Sequence, residues 1–380
     1  MRVCAVSVGL RRRDGRVCLV QIGRALGEMK GGDLTSEGEI LKSLVGVLEE
    51  HFPEAELFRP RYVNLDEFIY INDEEIDKAD EIEDDLTLLL DKSVGERDEV
   101  KPLEAGQPSD TPVIAVDSSS VKLGETDQGI VAAFRIAVVM QMSGETSVEK
   151  FGPYMAHFTE SNREIYNYFR EKIFGLDRVS PPPVRKMPDR TRNFLERLAQ
   201  RYASNIVENG IVLWDGSLTQ TIDTPMGLLR DSVKIARENG NIIIAISKQS
   251  WLKLKTGERL IGLLENMPKS CYIYVHDKLS EKIRHYLFGK VFVVKFSPDG
   301  FIFRVDVALD SAKECVEALE LLKGNAMFYN GYPEPLRQAH IHAYFTPNEV
   351  LAMQNMAIDK YDLDVIRPFD IRKHLLAPFG

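Results

Sequence analysis

The sequence predicts an α/β fold in which a mixed β-sheet is flanked by helices, and three observations support this prediction. Short apolar runs recur along the chain, as expected for buried strands. Between them lie stretches with apolar residues three and four positions apart, which is typical of amphipathic helices. Two of the apolar runs, VIAVDSSS and IVLWDGS, end in an aspartate followed by small residues. We therefore expect a sheet with polar groups gathered at one edge.

The composition of the chain predicts three regions. Residues 1–105 form an N-terminal extension with a β-hairpin turning at Asp14-Gly15, a helix at about 36–51 and an acidic segment. A stretch rich in Pro, Gly and polar residues, KPLEAGQPSDTP, then marks a boundary. Residues 106–350 are the predicted core, and residues 351–380 are a predicted C-terminal helical tail.

The net charge of -10 is concentrated in one segment. Residues 71–105 hold 14 of the 58 acidic residues but only 4 of the 48 basic ones, so the rest of the chain is neutral. Binding to nucleic acid requires local positive charge rather than a positive total. The charge therefore does not exclude a nucleic-acid partner.

Several protein classes lack their usual sequence signals here. The four cysteines have no C-x-x-C spacing, which argues against a zinc knuckle or a disulfide framework. No phosphate-binding G-x-x-x-x-G-K-[ST] or G-x-G-x-x-G motif occurs, and no G-x-S-x-G elbow accompanies the conspicuous DSSS. The N-terminus has no signal-peptide pattern, and Arg135 interrupts the longest apolar run. We expect a soluble cytoplasmic protein without a membrane span.

The predicted core has a consistent order of elements. It opens with three strands, of which the second is expected to run antiparallel to the first, followed by a helix, a strand, a helix and a further strand. Their expected positions are 112–120, 129–142, 148–160, 190–208, 211–217, 225–239 and 241–248. A strand, a hairpin turning at 298–300, an amphipathic helix and a last helix capped by Thr346 and Glu349 complete the chain.

The two strand-end acids are Asp117 and Asp215. Carboxylates just beyond apolar strands lie at the carboxyl edge of a sheet, where α/β proteins place ligands, and two of them could share a divalent cation. Each aspartate alone also fits a turn or cap residue. As a pair, in the order three strands, helix, strand, they are similar to the layout of ribonuclease-H-like proteins.

Two further residues could join these acids. Glu196 lies in the helix between the two strands and could be a third metal ligand, although pairing with Arg197 on the surface is an equally open interpretation. Lys248 ends a strand at the same expected edge and could hold a phosphate, or could simply be solvated.

The motifs VIAVDSSS, IVLWDGS, IIAISK and GYPEPLRQAH, in this order, resemble those of the NurA nucleases over about residues 111–350. The resemblance implies a site built from an acid on the first strand, a glutamate on the next helix, a second strand-end acid, and a late tyrosine and histidine. By position these are Asp117, Glu196, Asp215, Tyr332 and His340. Glu208, in the same predicted helix, is the alternative to Glu196.

The resemblance also implies an activity and partners. It implies a metal-dependent DNA nuclease, a 5′–3′ exonuclease and single-strand endonuclease, that works in DNA end resection with a HerA-type hexameric ATPase. Asp117, Glu196, Asp215 and His340 would bind two Mn²⁺ ions, with Mg²⁺ as the alternative. Single- or double-stranded DNA would contact Lys248, Tyr332 and Arg337, whereas His342 is expected to be structural.

Two alternative functions stay open, and the charge of the chain bears on its oligomeric state. A non-catalytic DNA-end adaptor on the same fold is the main alternative function, and a nuclease for structured RNA is a second one. A homodimer that encloses DNA would explain how a chain of neutral to acidic charge handles a polyanion, because only the channel need be basic. We therefore predict a homodimer.

Overall fold

The computed structural model describes residues 99–126, 128–248 and 262–361, and all of these belong to one compact unit. The predicted N-terminal hairpin, the helix at 36–51 and most of the acidic segment lie outside the described residues, as does the end of the predicted C-terminal tail. Among the described residues, no helix is both long and apolar enough to cross a bilayer.

One mixed sheet contains nine of the strands that the structure describes, in the order β1-β7-β8-β9-β6-β5-β2-β3-β4. The strands are β1 (Lys101–Pro102), β2 (Val113–Thr126), β3 (Gly129–Met142), β4 (Glu145–Thr159), β5 (Ile211–Asp215), β6 (Ile242–Ser247), β7 (Cys271–Tyr274), β8 (Lys290–Lys295) and β9 (Ile302–Val307). A two-stranded ladder, β10 (Phe328–Tyr329) with β11 (Tyr332–Pro333), stands apart.

The helices of the described residues cover or connect these strands. They are α1 (Ile165–Tyr168, continued by a π-helical turn over Phe169–Ile173), α2 (Met187–Ile206), α3 (Met226–Glu238), α4 (Gly262–Glu265), α5 (Glu281–Arg284), α6 (Ala312–Asn325), α7 (Glu334–Ala343) and α8 (Pro347–Tyr361). Single 3₁₀ turns occur at Val184–Lys186 and His276–Lys278.

The first five strands of the predicted core have the ribonuclease-H-like arrangement. Strands β2, β3 and β4 form an antiparallel meander, and β5 and β6 then add in parallel on the other side of β2. The connections from β4 to β5 and from β5 to β6 contain α2 and α3, as parallel crossovers require. The prediction of a mixed α/β sheet flanked by helices is therefore confirmed.

Strand β2 is longer than predicted. The sequence predicts a strand that ends near residue 120 and a turn over LGETDQG, but β2 continues to Thr126 as one arm of a long hairpin with β3. Parallel pairing with β5 covers only Val113–Val116. The polar run after Asp117 is kept in the strand by its ladder with β3, so pairing overrides local composition. Asp117 therefore lies within a strand, at the point where the parallel pairing ends.

Both faces of the central strands are buried, and the alternation of side chains assigns them to two cores. Ile114 and Val116 pack on the side of α2 and α3, together with Trp214. Val113 and Ala115 pack on the opposite side, in the cluster that contains residues of α6 and α7. Helices from both sides can therefore bring side chains to the edge at Asp117.

The last residues of the predicted N-terminal extension contribute to the sheet. Lys101 and Pro102 form β1, which pairs antiparallel with β7. Leu103 follows with 1% of its surface exposed, and its amide donates to the carbonyl of Ser270.

Candidate metal centre

The two strand-end acids lie side by side because of the register between β2 and β5. Val116 is paired with Trp214, so Asp117 and Asp215 follow at the same level of two adjacent parallel strands. Beyond Asp215 the chain leaves the sheet through Gly216, whose φ of 104° favours glycine. The expectation that parallel strands would deliver both carboxylates to one edge is confirmed.

Asp117 is buried and has a fixed orientation. Its Oδ1 accepts a hydrogen bond of 2.8 Å from the amide of Ser118, and its Oδ2 lies 2.8 Å from Nδ1 of His340. This hydrogen bond to Asp117 raises the pKa of His340 above its ordinary value, against the opposing effect of burial. His340 comes from α7, on the opposite side of the sheet from α2, and its ring is half exposed. In the neutral form of this ring, a proton on Nδ1 that is donated to Asp117 leaves the Nε2 atom with its lone pair.

Asp215 has a different partner. Its Oδ2 lies 2.6 Å from Nζ of Lys248, just beyond the end of β6. Burial raises the pKa of the Asp215 carboxyl, Lys248 opposes the rise, and the negative charge of Asp117 adds to it. A buried carboxylate whose pKa is raised by a neighbouring carboxylate favours the presence of a cation between the two.

Within the part of the chain that the structure describes, Asp117, Asp215 and His340 form a group with the geometry of a metal site. One ligand atom from each lies within 4.8 Å of the others. Two carboxylate oxygens and one imidazole nitrogen are a donor set that suits Mn²⁺, with Mg²⁺ less well matched to the imidazole. The residues present therefore fit a divalent cation.

Tyr332 lies at the same site but is buried. Its hydroxyl makes no hydrogen bond of normal geometry among the described residues, and Lys248 Nζ lies 5.4 Å from the centre of its ring. Burial, followed by the charges of Asp215 and Asp117, raises the pKa of Tyr332 far above its ordinary value. Its phenol therefore stays protonated and can act as a hydrogen-bond donor.

Glu196 approaches Asp117 from the α2 side, but it is not one of the three grouped ligands. Its carboxylate accepts a hydrogen bond from the hydroxyl of Ser118 and lies 3.7 Å from Arg192. Burial raises its pKa, and Arg192 and Arg197 oppose the rise. The surface alternative for Glu196 is wrong. Glu208 is exposed and lies beyond the end of α2, so its predicted position within this helix is wrong. The role of Glu196 as the helix ligand stays a prediction.

The remaining predicted residues lie on α7. Arg337 donates two hydrogen bonds of 2.7 Å to Glu334, and its guanidinium stacks on the ring of Tyr329. His342 lies outside the group of three ligands. Burial and the charge of Lys150 lower its pKa. A DNA contact of Arg337 stays a prediction.

Arg135 is a supporting residue that the sequence analysis did not assign. It is buried in β3, donates 3.0 Å to the carbonyl of Tyr344 and 2.7 Å to Glu349, and stacks on Phe345. These contacts fix the C-terminal end of α7, the helix that carries His340. The position of Arg135 within an apolar strand indicates in the sequence that it needs a partner, because a buried charge is costly without one.

A family model described as the NurA domain matches residues 111–344, which is more than half of the chain. The chain belongs to the NurA family. No curated protein sequence matches it. The match to the NurA domain covers most of the predicted core and confirms the resemblance seen in the four motifs.

Solved structures with low identity also match. One is the NurA nuclease from Sulfolobus solfataricus, with 16% identity, 77% of this chain and 95% of that chain covered, and a TM-score of 0.43. A second is NurA bound to dAMP and manganese, with 13% identity, 88% and 99% covered, and a TM-score of 0.40. A third is the endonuclease V of Ciona intestinalis in complex with DNA, with 12% identity, 74% and 100% covered, and a TM-score of 0.35.

Proposed function

We propose that this NurA-family protein is a metal-dependent DNA nuclease that hydrolyses phosphodiester bonds. The observation that carries the proposal is the convergence of ligand atoms of Asp117, Asp215 and His340 within 4.8 Å, at the point where the parallel pairing of β2 and β5 ends. The NurA family membership supplies the reaction class.

The ligand set proposed for the cation is Asp117, Asp215 and His340, with Glu196 completing a second position. The chemistry that such a cation supplies is a lowered pKa of water and neutralisation of charge on the phosphate. The donor set favours manganese over magnesium. Ser118 keeps the Glu196 carboxylate next to Asp117 through its hydroxyl, although 78 residues separate the two in the chain.

The proposed roles of the other residues of the site follow from the protons that they carry and from their charges. His340 either binds the cation or accepts the proton of the attacking water through Nε2, because Asp117 occupies Nδ1. Tyr332, with its protonated phenol, donates to a phosphate oxygen. Lys248 provides a positive charge at the mouth of the site and attracts the phosphate.

The decisive experiment is a cleavage assay with labelled single-stranded DNA in Mn²⁺ and in EDTA. We expect cleavage that requires metal and is lost by on the order of 10³-fold in Asp117→Ala and in Asp215→Ala, because each removes a direct ligand. Circular dichroism should show both variants folded. Binding without cleavage by the wild type would instead support the DNA-end adaptor, and faster cutting of a matched RNA would support the RNA nuclease.

The finer activity and the partners are part of the same proposal. We infer a 5′–3′ exonuclease and single-strand endonuclease that acts on DNA ends with a HerA-type hexameric ATPase, as a cytoplasmic homodimer. End-labelled duplex DNA, incubated with and without the ATPase, tests polarity and coupling. Light scattering at micromolar protein tests the dimer, and a monomeric mass would contradict it.

A further inference from the structure

The ladder of β10 and β11 connects the metal centre with an exposed ring. Its turn, Asn330-Gly331, has φ values of 50° and 81°, the conformation of a tight two-residue hairpin. Tyr329 and Tyr332 are directly paired across this turn. Residues paired in this way have their side chains on the same face, close enough to interact.

The two paired tyrosines have opposite surroundings. Tyr332 is buried beside Asp215 and packs on Phe303 at 5.4 Å between ring centres. Tyr329 keeps 57% of its surface exposed. The hairpin therefore places one tyrosine in the site and presents the other to solvent next to it.

Arg337 orients the exposed ring. Its guanidinium carbon lies 4.9 Å from the centre of the Tyr329 ring. Two of its nitrogens donate to Glu334, one turn earlier on α7, at 2.7 Å each. The guanidinium is thus held by Glu334 and stacked on Tyr329, so it supports one face of the ring while more than half of the side chain's surface stays accessible.

The hairpin itself is fixed by its neighbour. A Cβ atom at Gly300, in the turn between β8 and β9, would lie 2.8 Å from the Cα atom of Gly331. The amide of Phe301 donates to the carbonyl of Asn330 at 2.8 Å. The tips of the two hairpins are therefore in direct contact, and Tyr329 is presented from a rigid support.

We propose that Tyr329 stacks with a nucleobase of a single DNA strand whose phosphate lies at Asp117, Asp215 and His340, and that Arg337 positions its ring. This inference rests on the proposed nuclease function and adds a base-binding position to it. An exposed aromatic ring stacks with any base, so the contact is tolerant of sequence. Its pairing with Tyr332 places the base within one or a few nucleotides of the phosphate that is cut.

The experiment scans an abasic position along a fluorescent oligonucleotide and measures its Kd by anisotropy in EDTA. At one position the abasic change should raise the Kd of the wild type about tenfold, the loss expected for one stacked base. In Tyr329→Leu the intact oligonucleotide should already bind about tenfold more weakly, and the abasic change at that position should add nothing.

Two variants separate stacking from a general effect of mutation. Tyr329→Trp keeps an aromatic ring and should keep the abasic penalty, whereas Arg337→Gln should reduce it because the ring loses its support. Tyr286→Leu removes an exposed tyrosine from another part of the fold and should behave as the wild type. A full abasic penalty in Tyr329→Leu, or an equal loss in Tyr286→Leu, would overturn the inference.

Failure of the inference can be told apart from failure of the proposed function. A wild type that cuts DNA with Mn²⁺ but shows no abasic penalty at any position would overturn the stacking role of Tyr329 alone. A wild type that neither binds nor cuts DNA would overturn both.

Discussion

The two aspartates of the metal centre differ in the basic group that each one meets. Asp117 meets the imidazole of His340 at 2.8 Å, and Asp215 meets the ammonium of Lys248 at 2.6 Å. Imidazole can lose its proton near neutral pH and then coordinate a metal, whereas the ammonium has no lone pair to offer. His340 is therefore suited to binding the cation, and Lys248 to attracting the phosphate. We call Asp117 with His340 the His340 half of the site, and Asp215 with Lys248 the Lys248 half.

The two halves also differ in their support. His340 is carried by α7, whose end is fixed by Arg135 through Tyr344 and Glu349. Lys248 follows the last residue of β6 and is 42% exposed. The difference suggests that the His340 half is preformed, while Lys248 can adjust to the phosphate it binds.

The largest effect on this comparison should come from His340→Ala. We expect Mn²⁺ to bind about 10- to 100-fold more weakly and DNA cleavage to fall about 10²-fold, because a ligand and a proton acceptor are both removed. Calorimetric titration of Mn²⁺ and cleavage rates at saturating metal measure the two losses separately. The matched control is His342→Ala, two residues along the same helix and outside the ligand group. An unchanged Mn²⁺ affinity in His340→Ala would remove the distinction between the two halves.

A smaller and qualitatively different effect is expected for Lys248→Met. Cleavage should fall about tenfold, the loss expected for a charged hydrogen bond to phosphate. The affinity for Mn²⁺ should stay the same or rise, since a positive charge next to Asp215 is removed. Lys313→Met, at an exposed lysine on α6, serves as the control. A drop in metal affinity as large as that of His340→Ala would show that Lys248 supports the metal site rather than the phosphate.

The smallest effect is a pH-dependent change in stability, and it comes from the pair of Arg135 and Glu349 next to the helix that carries His340. The hydrogen bond from Arg135, together with those from Thr346, lowers the pKa of Glu349 from 4.5 to about 2. Because the folded pKa lies below the unfolded one, the stabilisation is complete above about pH 4.5 and is lost as the pH falls towards 2. Glu349→Gln should lower the free energy of unfolding by up to about 1 kcal/mol at pH 7, since this carboxylate is partly screened by solvent.

Denaturant unfolding of both proteins between pH 7 and pH 2.5 measures this difference, which should shrink towards acid pH. Glutamine can still accept the capping hydrogen bonds of Thr346, so the substitution removes mainly the charge. Glu317→Gln, which breaks only an exposed pair with Lys313, should change stability little at any pH. A difference between wild type and Glu349→Gln that is independent of pH would show that the charge of Glu349 beside Arg135 is not the source of the stabilisation.

Features set by local pattern could be predicted from the sequence. Apolar runs located β5 and β6, and the aspartates that follow the apolar residues of β2 and β5 predicted the pair Asp117 and Asp215. The Thr346–Glu349 capping box is present as expected, with Glu349 accepting from both the amide and the hydroxyl of Thr346. These elements depend on residues close in the chain, so the sequence contains the whole signal.

Features that depend on distant contacts could not be predicted. Glu196 is buried and accepts a hydrogen bond from the hydroxyl of Ser118, 78 residues away in the chain, and helical periodicity cannot show such a partner. The sequence indicates that Arg135 needs a partner, but it does not show that this partner is the carbonyl of Tyr344, 209 residues away. The extension of β2 to Thr126 depends on its ladder with β3, which keeps in the strand a polar stretch whose composition is typical of a turn.

The contact between Gly300 and Gly331 limits how this protein can vary. A turn such as Ser297–Gly300 lies at the surface between two strands, where insertions are usually tolerated among homologues. Here a single added Cβ at Gly300 would meet the backbone of the hairpin that holds Tyr332. The length of this outer turn is therefore tied to the geometry of the metal centre, and an inserted residue there would shift a wall of the site without touching any of its ligands.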